Sequence, residues 1–341
     1  LAVSGTITYR PTASTIITDA LTQVGGIDPE SGLGASATQT ATALRMLNAL
    51  VKTWGTRGLQ LWERRYGVVF PQNGQGLFVL GSPGPAGDHA CLTTPLNGGF
   101  IQTTLSADAA SGATTISVTS VTGQLDTVGN PAVSITNAYN IGIELDDGTL
   151  QWTTVSGAPS GTTVTLAAAL TDDAGEGNYV YCYQTKLIRP LRIVDAFVRQ
   201  VAAGNDVPCR VMSREEYNRF GSKSSEGTPV QLYYDPQSNT GNLYIYPTFS
   251  SVQQLLFIQF EKPIDDFATT ADDFDMPQEW AEALMWNLAW RLCPSYQTPK
   301  DTVKEIKELA LFTYEQIDGW DQEVASMFLQ PSTWPNMEGN K

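Results

Sequence analysis

One stretch near the C-terminal end limits the folds open to this chain: Asp275-Met-Pro-Gln-Glu-Trp-Ala-Glu-Ala-Leu-Met-Trp-Asn-Leu-Ala-Trp-Arg-Leu-Cys293. Asp275 is a good N-cap residue, Pro277 suits a first turn, and Gln278 completes a capping box. The helix predicted there is apolar on nearly every side, with Trp280, Leu284, Trp286, Leu288, Trp290 and Leu292 spread around it. Such a helix cannot lie on a surface, so other elements or other subunits must wrap it. Trp280, Trp286 and Trp290 are the expected subunit-interface residues of this helix.

The remaining chain is read as material that packs around this helix or hangs from it. Its 341 residues suffice for a large core and for two domains. An apolar fraction of 42% with modest charge is that of a globular protein, not of a disordered one. No apolar run reaches the length of a membrane span, and no secretory leader pattern opens the chain, so no membrane partner is expected. The four cysteines (Cys91, Cys182, Cys209, Cys293) lack CxxC spacing, which argues against zinc. Cys91 and Cys182 flank one segment and could pair at its base; two buried thiols in a chain matured in cytosol is the preferred reading.

The net charge of −15 is unevenly spread. Pro71 to Thr185 holds no Lys or Arg and nine Asp/Glu. Lys186 to Lys223 carries eight basic residues against four acidic, and Glu261 to Glu282 eight acidic against one basic. An acidic protein repels nucleic acid, and phosphate binding needs clustered Lys and Arg, so specific DNA recognition is not expected. The basic stretch is the one place where nucleic acid or an acidic partner could dock. Neutralising the acidic surface of a neighbouring subunit is its more economical use, and Arg214 is taken as an interface residue.

Periodicity organises the chain. A first helix spans about Ser14 to Val24 with the stripe Ile17, Ala20, Leu21 and Val24, stopped by Gly25-Gly26. Ser36 with Gln39 forms a second capping box, opening a helix that carries Leu44, Leu47, Val51 and Trp54. From Tyr66 the period changes to two, and Gly67–Phe70 and Leu77–Leu80 read as strands about a Gln-Asn-Gly turn. Between Leu96 and Tyr183 short alternating runs recur, with Asp147-Gly148 as a hairpin signal, which implies an inserted sandwich or barrel. Beyond it, Ser213 to Glu216 caps a helical start, and Val230–Tyr234 with Asn242–Tyr246 form an aromatic hairpin. Thr298 caps a last helix with the stripe Val303, Ile306, Ala310, Tyr314 and Ile317.

The expected fold class is α+β: a helical bundle from the N- and C-terminal helices with a small β-sheet region, plus an inserted all-β sandwich or barrel. The expected segments are 1–87 and 186–329 as two halves of a core, 88–185 as the insertion, and 330–341 as an extended tail.

Chemistry-bearing patterns are sparse. The single histidine, His89, beside Asp88 at a Gly/Pro-rich boundary, reads as a solvated linker residue rather than a catalytic base. Asp265-Asp266 and Asp272-Asp273 could bind a cation or serve a glycosidase, but a solvated acidic loop near a helix N-terminus explains them better. No nucleophile elbow, P-loop or dinucleotide fingerprint is present. No catalytic residue, metal or cofactor is expected.

An ordered set of residues carries a resemblance. It comprises Leu47-Asn48 and Trp54; Asp206-Val-Pro208; Met212-Ser-Arg-Glu-Glu-Tyr217; Lys223 with Gly227-Thr-Pro229; Tyr233-Tyr-Asp-Pro-Gln237; Gly241-Asn-Leu-Tyr-Ile-Tyr-Pro247; Pro277-Gln-Glu-Trp280; Leu288-Ala289; and Asp321-Gln-Glu323. Over roughly Ser14–Leu80 and Leu187–Gln330 the chain resembles the head-to-tail adaptor (packaged-DNA stabilisation, or tail-accessory) proteins of short-tailed bacteriophages. The resemblance implies a virion protein made in the host cytoplasm, assembled as a ring of about twelve copies below the portal. The ring would extend the channel for double-stranded DNA, which it lies near without specific binding, and carry the tail nozzle, tube or fibres. It further implies portal docking through a C-terminal segment, here Phe328, Leu329, Pro331, Trp334 and Pro335, with Trp334 as the apolar anchor. A tail-tube, nozzle or fibre-attachment protein acting through the β insertion is the alternative, and a carbohydrate-active enzyme a more distant one.

Overall fold

The computed structural model describes residues 9–56, 63–82, 88–93, 99–123 and 134–320. The chain opens with helices α1 (Ala13–Gln23) and α2 (Ala37–Gly55), then strands β1 (Arg64–Phe70), β2 (Leu77–Leu80) and β3 (His89–Thr93). Next come β4 (Ile101–Thr104), β5 (Thr115–Ser117), β6 (Asn140–Glu144), β7 (Leu150–Thr154), β8 (Thr163–Thr165) and β9 (Tyr179–Tyr183). After β10 (Arg192–Gln200), β11 (Asn205–Pro208) and β12 (Arg210–Val211) lies the short helix α3 (Arg214–Asn218). Strands β13 (Glu226–Gly227), β14 (Gln231–Pro236), β15 (Gly241–Tyr246), β16 (Thr248–Phe249) and β17 (Gln254–Glu261) follow, and helices α4 (Trp280–Leu292) and α5 (Lys300–Trp320) close the described chain. Two compact units result: residues 1–61 with 265–341, and residues 62–264.

The first unit is helical. Thr12 caps α1 by accepting from the Thr15 N–H, and the Ser36–Gln39 capping box of α2 is formed in both directions. The expected start of α4 is corrected. Its first helical residue is Trp280, because the Asp275 carboxylate accepts from the Asp265 N–H and the Gln278 side chain accepts from the Tyr9 N–H. The N-cap position of α4 is instead Glu279, which carries no side-chain cap bond. Thr298 likewise does not appear as a cap; its hydroxyl donates to the carbonyls of Val24 and Cys293. The core of this unit centres on three rings: Trp54 lies 5.5 Å from Trp280 and 5.2 Å from Tyr314, and Trp280 lies 6.0 Å from Tyr314. Such pairs add about 0.5–1.5 kcal/mol each beyond the burial of their area. Asn287, buried in the same interface, donates to the Ala283 and Ala310 carbonyls at 2.9 Å each, locking α4 to α5.

The second unit is built from sheets. A five-stranded antiparallel sheet has the order β11-β10-β17-β1-β3, and a four-stranded sheet has the order β12-β14-β15-β2. Side chains at alternate positions of the second sheet (Leu232 and Tyr234; Leu243 and Ile245) meet Val198, Ile258 and their neighbours from the first in one core. The opposite face of the five-stranded sheet is also covered. Phe70 and Phe257 share a cluster there with Phe100, Leu150, Tyr181 and Tyr183 from the segment between β3 and β10. This explains the nearly continuous apolar run of β17, Leu255 to Phe260: a strand buried on both faces has no solvent side to mark with polar residues.

That segment builds its own four-stranded sheet, β4-β9-β6-β7, the pair β5-β8, and a third core of Ile101, Ile116, Val118, Ile141, Ile143 and Val180 among others. The Asp147-Gly148 turn joins β6 to β7, with Gly148 at φ 81° and Asp147 accepting from the Thr149 N–H and hydroxyl.

The expected fold class is therefore corrected. Helices do stand at the N- and C-terminal ends, but five sheets dominate the described chain, and it is not a helical bundle carrying an inserted barrel. Two pairings account for the difference. Strands β1 and β2 do not form a hairpin: β1 pairs with β17 and β3, and β2 pairs with β15. Residues after Leu187, for which no element is expected above, contain β10, a nine-residue strand of the larger sheet paired with both β17 and β11.

Candidate interaction surfaces

The helical unit encloses most of its apolar helix. Trp280, expected at a subunit interface, is 0% exposed and packed between Trp54 and Tyr314, so it is a core residue and that expectation is corrected. Trp286 and Trp290 differ. They stand one turn apart on α4 and are only half-buried, and the Lys307 ammonium lies 5.7 Å from the Trp290 ring. On α5, Leu311 is 42% and Phe312 57% exposed. The Asn287 bond to Ala310 sets Trp286 and Leu311 at one level of the antiparallel helix pair. Leu311 and Phe312 fall off the α5 stripe of Ile306, Ala310 and Tyr314, and that mismatch was the available sequence signal. The expected docking residues Phe328, Leu329, Pro331, Trp334 and Pro335 lie outside the described residues.

The acidic loop before α4 is pinned from below. Ile264, Phe267, Phe274 and Met276 are buried, and Phe267 exchanges backbone hydrogen bonds with the Asn48 side chain at 2.9 and 3.0 Å. The Ala13 and Ser14 N–H groups donate to the Asp272 and Thr270 carbonyls. Apolar residues point inward and carboxylates outward, with Asp266 paired to Lys52 at 2.8 Å. The Thr269 N–H and hydroxyl hold the Asp272 carboxyl below its ordinary pKa, opposite to the shift a glycosidase acid requires. No group of three or more His, Cys, Asp or Glu side chains among the described residues is placed to hold a metal ion.

In the sheet unit α3 lies on the outer face of the aromatic hairpin. Ser213 and Glu216 form the expected capping box; the Ser213 backbone and side-chain bonds lower the Glu216 pKa, with Arg210 helping. Tyr217 is buried against Tyr244 and Tyr233, with centroids 5.4 and 6.1 Å away, and Phe220 stacks on Tyr246 at 4.1 Å. Arg214, at the first position of α3, is exposed.

His89 contradicts its expected role as a solvated linker residue. It sits on β3, is 8% exposed, stacks on Trp152 at 3.9 Å and 3°, and its Nδ1 lies 2.7 Å from the Tyr183 hydroxyl. Burial, with the Lys186 charge nearby, lowers its pKa to about 3. A cavity of about 230 Å³ opens beside it, lined also by Asn140, Thr153 and Thr154. Both faces of Trp152 are already taken, by His89 and by β6, where a Cβ on Gly142 would come within 2.7 Å of the indole. Cys91 and Cys182 are buried free thiols.

No family model matches the chain, and no curated protein matches it. No helix among the described residues is long and apolar enough to cross a membrane.

Proposed function

We propose that this chain is a virion structural protein that acts as a head-to-tail adaptor, assembling as a ring that joins a portal to a tail and extends the DNA channel. The observation that carries this reading is the exposure of Leu311 and Phe312 on α5, with Trp286 and Trp290 of α4 only partly buried, on a unit that otherwise buries its own core. Large apolar side chains left exposed on a helix that is otherwise packed offer surface to another protein chain. The ordered residues that resemble adaptor proteins supply the assembly, and the net charge of −15 suits a wall along which DNA slides without binding.

The test is sedimentation velocity and negative-stain imaging of the purified full chain, alone and with its portal ring. Annular particles, or a ring of density added to the portal, are expected. A chain that stays monomeric in both settings would overturn the reading.

A further inference from the structure

Two charged surfaces, one on each unit, are held rigid and carry opposite sign. Around α3, Arg214, Arg219 and Lys223 are all exposed. Their backbone is fixed by the Ser213 capping box, by the burial of Tyr217, and by the stack of Phe220 on Tyr246. The Lys223 ammonium closes the turn on the Asn218 and Phe220 carbonyls and lies 5.5 Å from the Tyr217 ring. Arg210 and Glu216 pair with each other at 3.2 Å, and Glu215 is the other carboxylate in the first turn of α3, against the three cations. Half-buried Tyr233, Tyr244 and Tyr246, with Val230 41% exposed, surround them. Arginine set among tyrosines is the composition of an interface centre.

The loop before α4 is the counterpart. Residues 265 to 282 contain seven carboxylates and no Lys or Arg. Asp273, Glu279 and Glu282 are exposed, on backbone anchored by Phe274, Met276 and Trp280 beneath them. Such pre-organised carboxylates give up little conformational entropy when they meet a cationic partner.

We propose that the α3 surface of one copy docks on the Asp273–Glu282 surface of a second copy of this chain. The two patches differ, so the contact is heterologous, and a heterologous contact whose rotation closes builds a ring. This inference rests on the adaptor-ring reading and names the faces that would join its subunits.

Charge exchange tests it. The full chain carrying Arg214→Glu, Arg219→Glu and Lys223→Glu, and a second carrying Asp273→Lys, Glu279→Lys and Glu282→Lys, are each expected to self-associate at least about tenfold more weakly than wild type. Mixed one to one, the two variants are expected to recover assembly, since each altered face then meets a complementary one. Circular dichroism melts matching wild type establish that both variants fold, as substitutions at exposed positions ordinarily permit. If wild type itself never associates, alone or on its portal, the ring reading falls and this contact with it. If wild type assembles and the variants assemble equally well, only the assignment of faces falls. Recovery in a chain carrying all six changes, but not in the mixture, would place the pairing within one copy and overturn the proposal. Loss of retention on double-stranded DNA by the first variant, with assembly unchanged, would overturn it in favour of a phosphate-binding face.

Discussion

The two units bury their apolar residues by different routes, and the difference bears on what each can be used for. The helical unit packs four helices about the Trp54–Trp280–Tyr314 trio and leaves part of α4 and α5 uncovered. The sheet unit places a five-stranded sheet between two others and covers it on both faces. The five-stranded sheet itself has both faces covered, whereas the helix pair keeps Leu311 and Phe312 exposed and Trp286 and Trp290 partly so. Within the helical unit, the Asn287 bonds and the aromatic trio fix α4 against α5 and α2.

Removal of residues 96–183 should have the largest effect. It would strip the cover from Val68, Phe70, Leu255 and Phe257, which are all at most 2% exposed. Each fully buried side chain is worth about 1.5–3 kcal/mol, so the loss rivals the whole stability of about 5–15 kcal/mol typical of a folded domain. The expected product is insoluble, or lacks a cooperative thermal transition by circular dichroism. A soluble deletion with the melting temperature of wild type would show that the sheet unit does not depend on its β insertion.

Tryptophan replacements sharpen the comparison within α4. Trp280→Ala should cost about 3–5 kcal/mol in urea denaturation, because it empties a core site. Trp286→Ala should cost clearly less than Trp280→Ala, because its ring is only partly buried, while weakening self-association. Equal costs for the two would mean that inside and outside have been assigned wrongly. Next comes Gly142→Ala. The new methyl would sit 2.7 Å from the Trp152 indole, which is held between β6 and His89, so overpacking of about 1–3 kcal/mol is expected as a lowered denaturant midpoint.

Local rules were legible in the sequence and long-range pairing was not. The Ser36–Gln39 and Ser213–Glu216 boxes and the Asp147-Gly148 turn are each specified within a few residues, and all three form. The central sheet depends on β1 meeting β17, and Val68 pairs with Phe257 across most of the chain, a partnership no local pattern encodes. The same distance effect misplaced the start of α4. Asp275 is an apt cap by type, but Asp265, ten residues upstream, claims its carboxylate. For the candidate surfaces, apolar periodicity drew attention to α4 but could not separate fully buried Trp280 from partly buried Trp286 and Trp290. A helix apolar all round gives no phase, and only the positions of α1, α2 and α5 supply one.

The smallest effect concerns His89, where breaker residues nearby disguised a buried strand position. Its pKa is about 3 in the folded chain and 6.5 in the ordinary state, so the folded form binds the proton later as pH falls. The stability it contributes is complete above pH 6.5 and is lost progressively between about 6.5 and 3, at no more than about 1.4 kcal/mol per pH unit. Lys186 opposes protonation further, and the Tyr183 hydroxyl at 2.7 Å fixes the ring against Trp152. Unfolding free energies from urea denaturation of wild type and His89→Gln, compared at pH 7.5 and 6, should diverge by about 0.8 kcal/mol, with wild type losing more. The sheet unit should register this loss and the helical unit should not: tryptophan emission from the Trp152 environment would shift at lower denaturant, while the Trp54–Trp280 pair stays quenched and packed. Parallel pH dependence in both proteins would mean that His89 titrates normally and that the wall it forms with Trp152 is open to water.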